Sequence, residues 1–406
     1  MRRQLPAYSP LDARSMAKAM LDSTRGPGKA RDLLAEFLGR RFLCQEVILI
    51  GSGTQALEMA MRLALGQRAR GSTGPVALPA YSCFDVVTAA VGAGAPLLFY
   101  DVDPHTLAPD MDSLRETLLA GAGAVVVSSL CGFPVDWDAV RTCCVEAGAV
   151  LIEDAAQGLG STWRGREGGT FGDLTVLSFG RGKGWTGGGG GALLVRGQVQ
   201  GVEAADRALP PRAGIGSGLR AAMTTLGQWV FGRPELYGIP TALPWLGLGE
   251  TTYRDPVLPF AIPSYCAALA LTTAEASARE VMARRRTAAR LRERLDRPDP
   301  SNGICPLVPL AAGESGYLRF PVLSGTGTRS ILDSDGARSL GILRGYPRSL
   351  PELPVVSGLR MDGADLFPGA LELRSSLFSL PTHSLVEEGD LAEMVRFLIR
   401  ANPEGN

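Results

Sequence analysis

The sequence predicts an α/β protein: a mostly parallel seven-stranded sheet with helices on both faces, plus a smaller C-terminal α/β domain. Seven short apolar runs recur in the first half: EVILI at 46–50, PVAL at 75–78, LLFYD at 97–101, AVVVS at 124–128, AVLIE at 149–153, LTVLS at 174–178 and GALLV at 191–195. Up to residue 178 they alternate with helix-length patterned segments such as 53–65 and 136–147. Near-continuous apolar strands joined by helical crossovers belong to a sheet that is buried on both sides. With 406 residues, the chain is also long enough for a large cored domain and a second, smaller one.

The gap from 179 to 190 is glycine-rich and too short for a helical crossover, so the seventh strand is expected to run antiparallel. Residues 1–200 form the large domain in this reading. From 201 to 263 the pattern becomes helical, aromatic and proline-containing, through Trp229, Phe231, Tyr237, Trp245 and Tyr253. Residues 264–295 then predict one long helix with Ala and Leu on one side and Arg284, Arg285, Arg286, Arg290 and Arg292 exposed. Strand-like pieces (YLRFPVL at 317–323, and 341–343) and a final helix over 388–399 complete a small domain, 264–406, that closes over a site on the large one.

Composition narrows the function. Lys plus Arg equals Asp plus Glu, 41 each, so no excess charge draws the chain to nucleic acid or an anionic membrane. A small, locally charged ligand fits better. The seven cysteines lack a C-x-x-C pair or metal-ligand spacing and predict core residues of a reducing compartment. The start, Met1-Arg2-Arg3-Gln4-Leu5-Pro6, lacks a signal-peptide apolar run, and no stretch reaches the roughly 20 apolar residues of a membrane span. A cytoplasmic protein is expected.

Ligands of open α/β sheets gather beyond the carboxyl ends of the strands, and the chemistry-bearing residues lie there. Gly51-Ser52-Gly53-Thr54 follows the first strand and opens a helix, which suits either a phosphate at the positive helix terminus or ordinary cap chemistry. Glu153-Asp154-Ala155-Ala156-Gln157 ends the fifth strand, where a buried carboxylate needs a cationic partner. A protonated pyridinium nitrogen is one such partner; a helix cap is the plainer alternative. Ser178-Phe179-Gly180-Arg181-Gly182-Lys183 ends the sixth strand, with Gly187 to Gly191 soon after. A lysine that forms an imine must be neutral part of the time, which burial beside a cationic cofactor achieves; a solvated surface lysine is the plainer alternative.

Taken together, these segments resemble the DegT/DnrJ/EryC1/StrS aminotransferase family, continuously from about Ser52 to Val195. The resemblance rests on Ser52-Gly53-Thr54-Gln55-Ala56-Leu57, Pro79-Ala80-Tyr81-Ser82-Cys83-Phe84, Gly94-Ala95-Pro96, Asp101-Val102-Asp103 and Gly132-Phe133-Pro134-Val135-Asp136. It continues through Glu153-Asp154-Ala155-Ala156-Gln157 and from Phe171-Gly172-Asp173-Leu174 through Ser178-Phe179 to Lys183. It implies fold type I of the pyridoxal-phosphate enzymes. Lys183 would hold the cofactor as a Schiff base, Asp154 the ring nitrogen and Gln157 the ring-hydroxyl side, with Ser178, Gly53 and Thr54 on the phosphate.

The chain also departs from the family pattern. The ring-stacking aromatic falls on Cys83, so Tyr81 or Phe84 stacks instead, or the contact is a thiol. A glutamate of the glycine stretch is Gly189, and the Asn-x-Arg element that reaches a partner subunit's pocket is Pro259-Phe260-Ala261. The implied activity is transfer of an amino group from an amino acid, glutamate being the expected donor, to a keto acceptor that includes nucleotide-linked sugars among its possibilities. The implied assembly is a homodimer. Arg181 and Arg319 are candidate anion contacts. A dehydratase on the same scaffold is disfavoured because Lys183 is present; a non-catalytic homologue that binds cofactor or sugar is the alternative from another class.

Overall fold

The protein was analysed as a computed structural model that describes residues 2–66, 74–197, 199–210, 216–242, 251–295, 303–325, 332–363 and 366–400. Its central sheet contains β1 (Glu46–Ile50), β2 (Val76–Pro79), β3 (Leu97–Tyr100), β4 (Ala124–Ser128), β5 (Val150–Asp154), β6 (Leu174–Ser178) and β7 (Gly191–Val195). They lie in the order β1-β7-β6-β5-β4-β2-β3. Only β7 runs against the others, between β1 and β6, as the short glycine-rich connection requires.

The alternation of side chains along the strands separates the two faces. Ile50, Leu78, Val126, Ile152 and Val176 point into a core shared with α3 (Gly53–Leu65) and α4 (Phe84–Ala93). Leu98, Val125, Val127 and Leu151 point the other way, under α5 (Met111–Leu119) and α6 (Trp137–Ala147). Toward the β1 edge, Leu49, Leu177 and Leu194 on this second face meet two helices near the N-terminus, Ala13–Thr24 and Pro27–Phe42. Ser52 caps α3, accepting a hydrogen bond from the Gln55 amide at 3.2 Å, and Asp136 caps α6 through the Ala139 amide.

Beyond residue 200, α7 (Ser217–Phe231) forms, and residues 254–261 return beside the start of α3, where Ala261 bridges Ile50. There the Gly51 amide donates to the Phe260 carbonyl at 2.8 Å and the Gln55 amide group to the Leu258 carbonyl at 3.0 Å. Trp245, counted above with this aromatic stretch, lies outside the described residues.

The long helix α8 (Ser264–Leu295) begins in the core beneath the central sheet, with Tyr265 to Ala270 buried, and ends against a second sheet through Ala288 and Leu291. It therefore belongs to both layers that the sequence reading separated at Ser264. The second sheet is antiparallel, with order β8-β9-β11-β10, from β8 (Ile304–Pro306), β9 (Phe320–Ser324), β10 (Leu343–Arg344) and β11 (Leu377–Leu380). The final helix α9 (Glu388–Arg400) covers it with Leu391, Met394 and Leu398. Among the described residues no helix is long and apolar enough to cross a membrane.

Two expectations need correction. Arg284 is not exposed: it is 1% accessible, whereas Arg286 and Arg290 are exposed as expected. Arg285 and Arg292 are half-buried because they tie α8 to neighbouring loops, Arg285 to the Ser315 and Gly160 carbonyls and Arg292 to the Leu307 carbonyl. The cysteines are not all core residues either, since Cys305 is exposed and Cys44, Cys83 and Cys131 are only partly buried; all seven are free thiols.

His383 gives the fold a pH dependence. Fully buried, it donates from Nε2 to the Leu5 carbonyl at 2.8 Å. Burial, with the Arg284 charge adding to it, lowers its pKa from 6.5 to about 4. The unfolded chain therefore takes up a proton at His383 between about pH 6.5 and 4 that the folded chain refuses, so this contribution is intact above pH 6.5 and declines as pH falls. The full effect is about 3 kcal/mol. Urea denaturation at pH 7 and pH 4.5 should show a smaller acid loss in His383→Gln than in the parent; an equal loss would mean that His383 does not set it.

Candidate active site

The carboxyl ends of β1, β2, β4, β5 and β6 converge on one cleft. At the first of them, the start of α3 meets the end of β6 closely: a Cβ on Gly53 would lie 2.7 Å from the Ser178 Cβ. Only glycine allows this approach. It sets the free amides of the α3 N-terminus beside the Ser178 hydroxyl, with Thr54 next in the chain, which is an anion cradle of helix amides and a hydroxyl.

At the end of β5, Asp154 accepts from the Ser128 hydroxyl at 3.1 Å and from the Ala156 amide at 3.1 Å. Burial pushes its pKa up, opposed first by the charge of Lys183, then by these two hydrogen bonds. No ion pair is made to Asp154 by the described residues. An enclosed carboxylate with spare acceptor capacity suits a cationic N–H, so these residues fit a pyridinium ring.

Lys183 lies half-buried on the loop after β6, and the Ser9 hydroxyl fixes its backbone by donating to the Lys183 carbonyl at 2.7 Å. Its side-chain amine makes no ion pair within the described residues. Cys83 stands in the same field: burial and Asp85 push its thiol up to about 11 while Lys183 opposes them, so it is neutral near pH 7.

Gln157 spans the opposite wall. It accepts from the Cys131 amide at 3.2 Å and donates to the Tyr346 hydroxyl at 3.0 Å. Tyr81 is wholly buried, its hydroxyl 3.4 Å from the Tyr346 carbonyl, and Phe84 is 4% accessible against the same Tyr346 ring. The structure thus sets Tyr81 and Phe84 behind the cleft wall; of the three stacking candidates Cys83 keeps accessible surface.

Of the residues singled out in the sequence, Gly53 meets Ser178 and Asp154 lies in the field of Lys183, while Gln157 is held by Cys131 and Tyr346. Sequence reasoning missed Ser9, Ser128 and Tyr346. Ser128 was findable, since it ends β4 in register with Asp154 on β5. Ser9 and Tyr346 belong to no patterned segment and reach the site only through the tertiary fold. Arg181 and Gly182, with Arg319, line a neighbouring cavity of about 650 Å³.

The close approach at Gly53 is directly testable. Gly53→Ala should push the start of α3 from β6, lowering stability by about 1–3 kcal/mol as overpacking does and weakening pyridoxal-phosphate retention. Urea denaturation and cofactor titration measure the two effects. Unchanged values for both would show that the contact is not a constraint.

Comparison with known proteins accords with this geometry. The chain matches the DegT/DnrJ/EryC1/StrS aminotransferase family over residues 16–201. It is 34% identical over 135 residues to a dTDP-4-dehydro-2,3,6-trideoxy-D-glucose 4-aminotransferase of Saccharopolyspora spinosa, covering 33% of this chain and 34% of that one. It is also 34% identical over 143 residues to an L-glutamine:2-deoxy-scyllo-inosose aminotransferase of Streptomyces kanamyceticus, covering 35% of this chain and 33% of that one. The chain thus spans about a third of the length of these relatives. Across nearly the whole chain the fold is that of PseC, an aminotransferase of Helicobacter pylori involved in pseudoaminic acid biosynthesis, at TM-score 0.77, 17% identity and 99% coverage of both chains. The PLP form of a candidate sugar aminotransferase from Streptococcus pneumoniae is similar at TM-score 0.74, 18% identity and 98% coverage of both. The part of the chain that matches the DegT/DnrJ/EryC1/StrS aminotransferase family, residues 16–201, is the part that carries the α3 cradle, Asp154 and Lys183.

Proposed function

We propose that the protein is a pyridoxal-phosphate-dependent aminotransferase that moves an amino group from an amino acid, glutamate being the expected donor, to a keto group, with nucleotide-linked sugars as the acceptor class to try first. The convergence of Lys183 and Asp154 on one cleft carries this reading. The relatives' names support it, since they describe amino transfer to a keto sugar or a cyclic ketone.

When bound, pyridoxal phosphate supplies an aldehyde that accepts the amino group and a ring that withdraws electrons. In this reading Lys183 would hold the cofactor through Nζ and, once the donor's amine has replaced it there, would act as the base that moves the donor's α-proton. One amine can serve as leaving group and then as base because it is held half-buried on a short loop. Asp154, with Ser128 and the Ala156 amide steadying it, holds the proton on the ring nitrogen. Gln157 and Tyr346 orient the ring-hydroxyl side, Ser178 with the Gly53 and Thr54 amides binds the phosphate, and Cys83 provides the contact on the ring face.

The protein is further proposed to act in the cytoplasm, where its seven free thiols persist, and as a homodimer. Val257 and Leu258, 66% and 80% accessible on the segment beside α3, support an intersubunit contact there.

Borohydride treatment of the pyridoxal-phosphate-loaded protein should fix the cofactor on Lys183, read by mass spectrometry of the reduced peptide; an adduct on another lysine, or none, would sink the central reading. Asp154→Asn should keep some cofactor yet slow single-turnover amino transfer from glutamate by about 100- to 1,000-fold, the usual cost of removing one preorganised electrostatic partner. Sedimentation velocity at micromolar concentration should show a dimer, and a fully active monomer would eliminate the shared-site assembly.

A further inference from the structure

Lys183 sits at the least supported point of its loop. Upstream are Gly180 and Gly182, the latter at φ 73°, and the Lys183 amide reaches the Gly180 carbonyl only at 3.4 Å. Downstream the loop is fixed to α8: the Trp185 indole donates to the Ala270 carbonyl at 2.8 Å, and the Thr273 hydroxyl to the Thr186 carbonyl at 2.6 Å. At the Lys183 carbonyl the short contact comes from a distant segment, the Ser9 hydroxyl at 2.7 Å.

Ser9 belongs to a strap, residues 2–12, that is held at both ends. At one end its partners all lie in the second sheet layer. The Gln4 side-chain amide donates to Asp390 at 2.6 Å, the Gln4 backbone amide to the Ser339 carbonyl at 2.8 Å, and His383 donates to the Leu5 carbonyl at 2.8 Å. Arg2 adds an ion pair to Glu387 at 2.9 Å, but both side chains are solvated, so it contributes little. The enclosed bonds of Gln4 and Leu5, 2% and 6% accessible, carry the anchorage. At the other end Leu11 is buried in the core shared with α8, and Asp12 caps the helix Ala13–Thr24 through the Ser15 amide at 2.8 Å. Between the two ends Pro6 and Pro10 fix their own φ angles, so the stretch that carries Ser9 is a strut rather than a loose tail.

A base that moves a proton needs a fixed starting geometry, since a displacement of about 1 Å costs up to about 100-fold in rate. The loop from β6 to β7 has no helix or strand to supply it. We propose that Ser9 is a positioning residue for Lys183, and that the strap transmits the placement of the second sheet layer to it. The Ser9 hydroxyl fixes the Lys183 carbonyl, and with it the direction in which the lysine side chain leaves the loop. The anchors at Gln4 and Leu5 set where Ser9 stands. This rests on the reading of Lys183 as the amino-transfer residue.

Amide hydrogen exchange of the 180–186 peptide and the visible circular dichroism of the bound cofactor test this on the pyridoxal-phosphate-loaded protein. In Ser9→Ala the peptide should exchange about 3- to 10-fold faster, the effect of losing one hydrogen bond, and the dichroism per bound cofactor should fall. Single-turnover amino transfer from glutamate should slow by about 10- to 100-fold with KM for glutamate unchanged. Ser9→Thr, which keeps the hydroxyl, should restore all three. Gln4→Ala, which loosens the far end of the strap without touching the loop, should shift them in the same direction by a smaller factor. Lys18→Gln, on the exposed side of the helix Ala13–Thr24, should leave them unchanged. Unchanged exchange and dichroism in Ser9→Ala overturn the proposal, as does failure of Ser9→Thr to restore them. Parent values in Gln4→Ala would make the Ser9 contact purely local and remove the transmission; a raised KM with an intact single-turnover rate would make the strap a substrate wall. Exchange is also measured without cofactor, so the strap is judged separately from the borohydride adduct. Absence of that adduct in the parent removes only the amino-transfer reading, and its presence with unchanged exchange and dichroism in Ser9→Ala removes only the strap.

Discussion

The site depends on two adjacent carboxylates at the end of β5 facing opposite sides of the sheet. Because side chains alternate along a strand, Glu153 and Asp154 cannot share a partner. Glu153 is wholly buried and saturated, accepting from the Phe171 and Gly172 amides at 2.8 and 3.1 Å, the Thr175 hydroxyl at 3.0 Å and the Gly169 amide. Arg196 closes the same network, donating to the Thr175 hydroxyl and to the Phe42 carbonyl. That network fixes the turn before β6, and so the height at which β6 delivers Ser178. Asp154, one residue on, holds only two hydrogen bonds and keeps acceptor capacity for the cleft. One carboxylate builds the frame while its neighbour remains available for chemistry.

The antiparallel strand β7 turns this frame into a pocket. Entering between β1 and β6, it brings Gly191 against Ser52, where a Cβ would lie 2.6 Å from the Ser52 carbonyl carbon. The same sheet position sets Ser178 against Gly53. Two glycine contacts therefore let three chain segments meet at the start of α3, where unpaired helix amides provide partial positive charge. Beneath the Lys183 loop, Arg284 packs so closely that a Cβ on Gly184 would lie 2.7 Å from one of its guanidinium nitrogens. The loop is held from the other side by Ser9.

Much of this was legible in the sequence because it rests on local signals. Strand runs, glycines at strand ends and the Ser52 cap follow from nearest-neighbour chemistry, and the Lys183 and Asp154 motifs each sit within a few residues of a strand end. The misread arginine, Arg284, shows the limit. A helix pattern assigns a face by period alone, and charge argued for solvent. Burial there is supported by Glu280, one helical turn away, which Ser384 in turn holds with its amide and hydroxyl at 2.8 and 2.7 Å. Glu280 stands four residues before Arg284 in α8, but no pattern within the helix reveals Ser384, which holds it.

The sequence by itself determined the seven-stranded sheet, its single reversed strand, the long helix and the order in which the phosphate, ring-nitrogen and lysine segments arrive at the strand ends. Hydrophobic period and connection length suffice for those, since each is decided within about ten to thirty residues of chain. The tertiary structure alone decided which side chains face the cleft. It withdrew Tyr81 and Phe84 behind Tyr346, left Cys83 beside Lys183, brought Ser9 across from the N-terminus, and gathered Arg181 and Arg319 around one cavity. These are contacts between segments distant in the chain, whose geometry follows from the packing of two sheets and a shared helix rather than from any local preference.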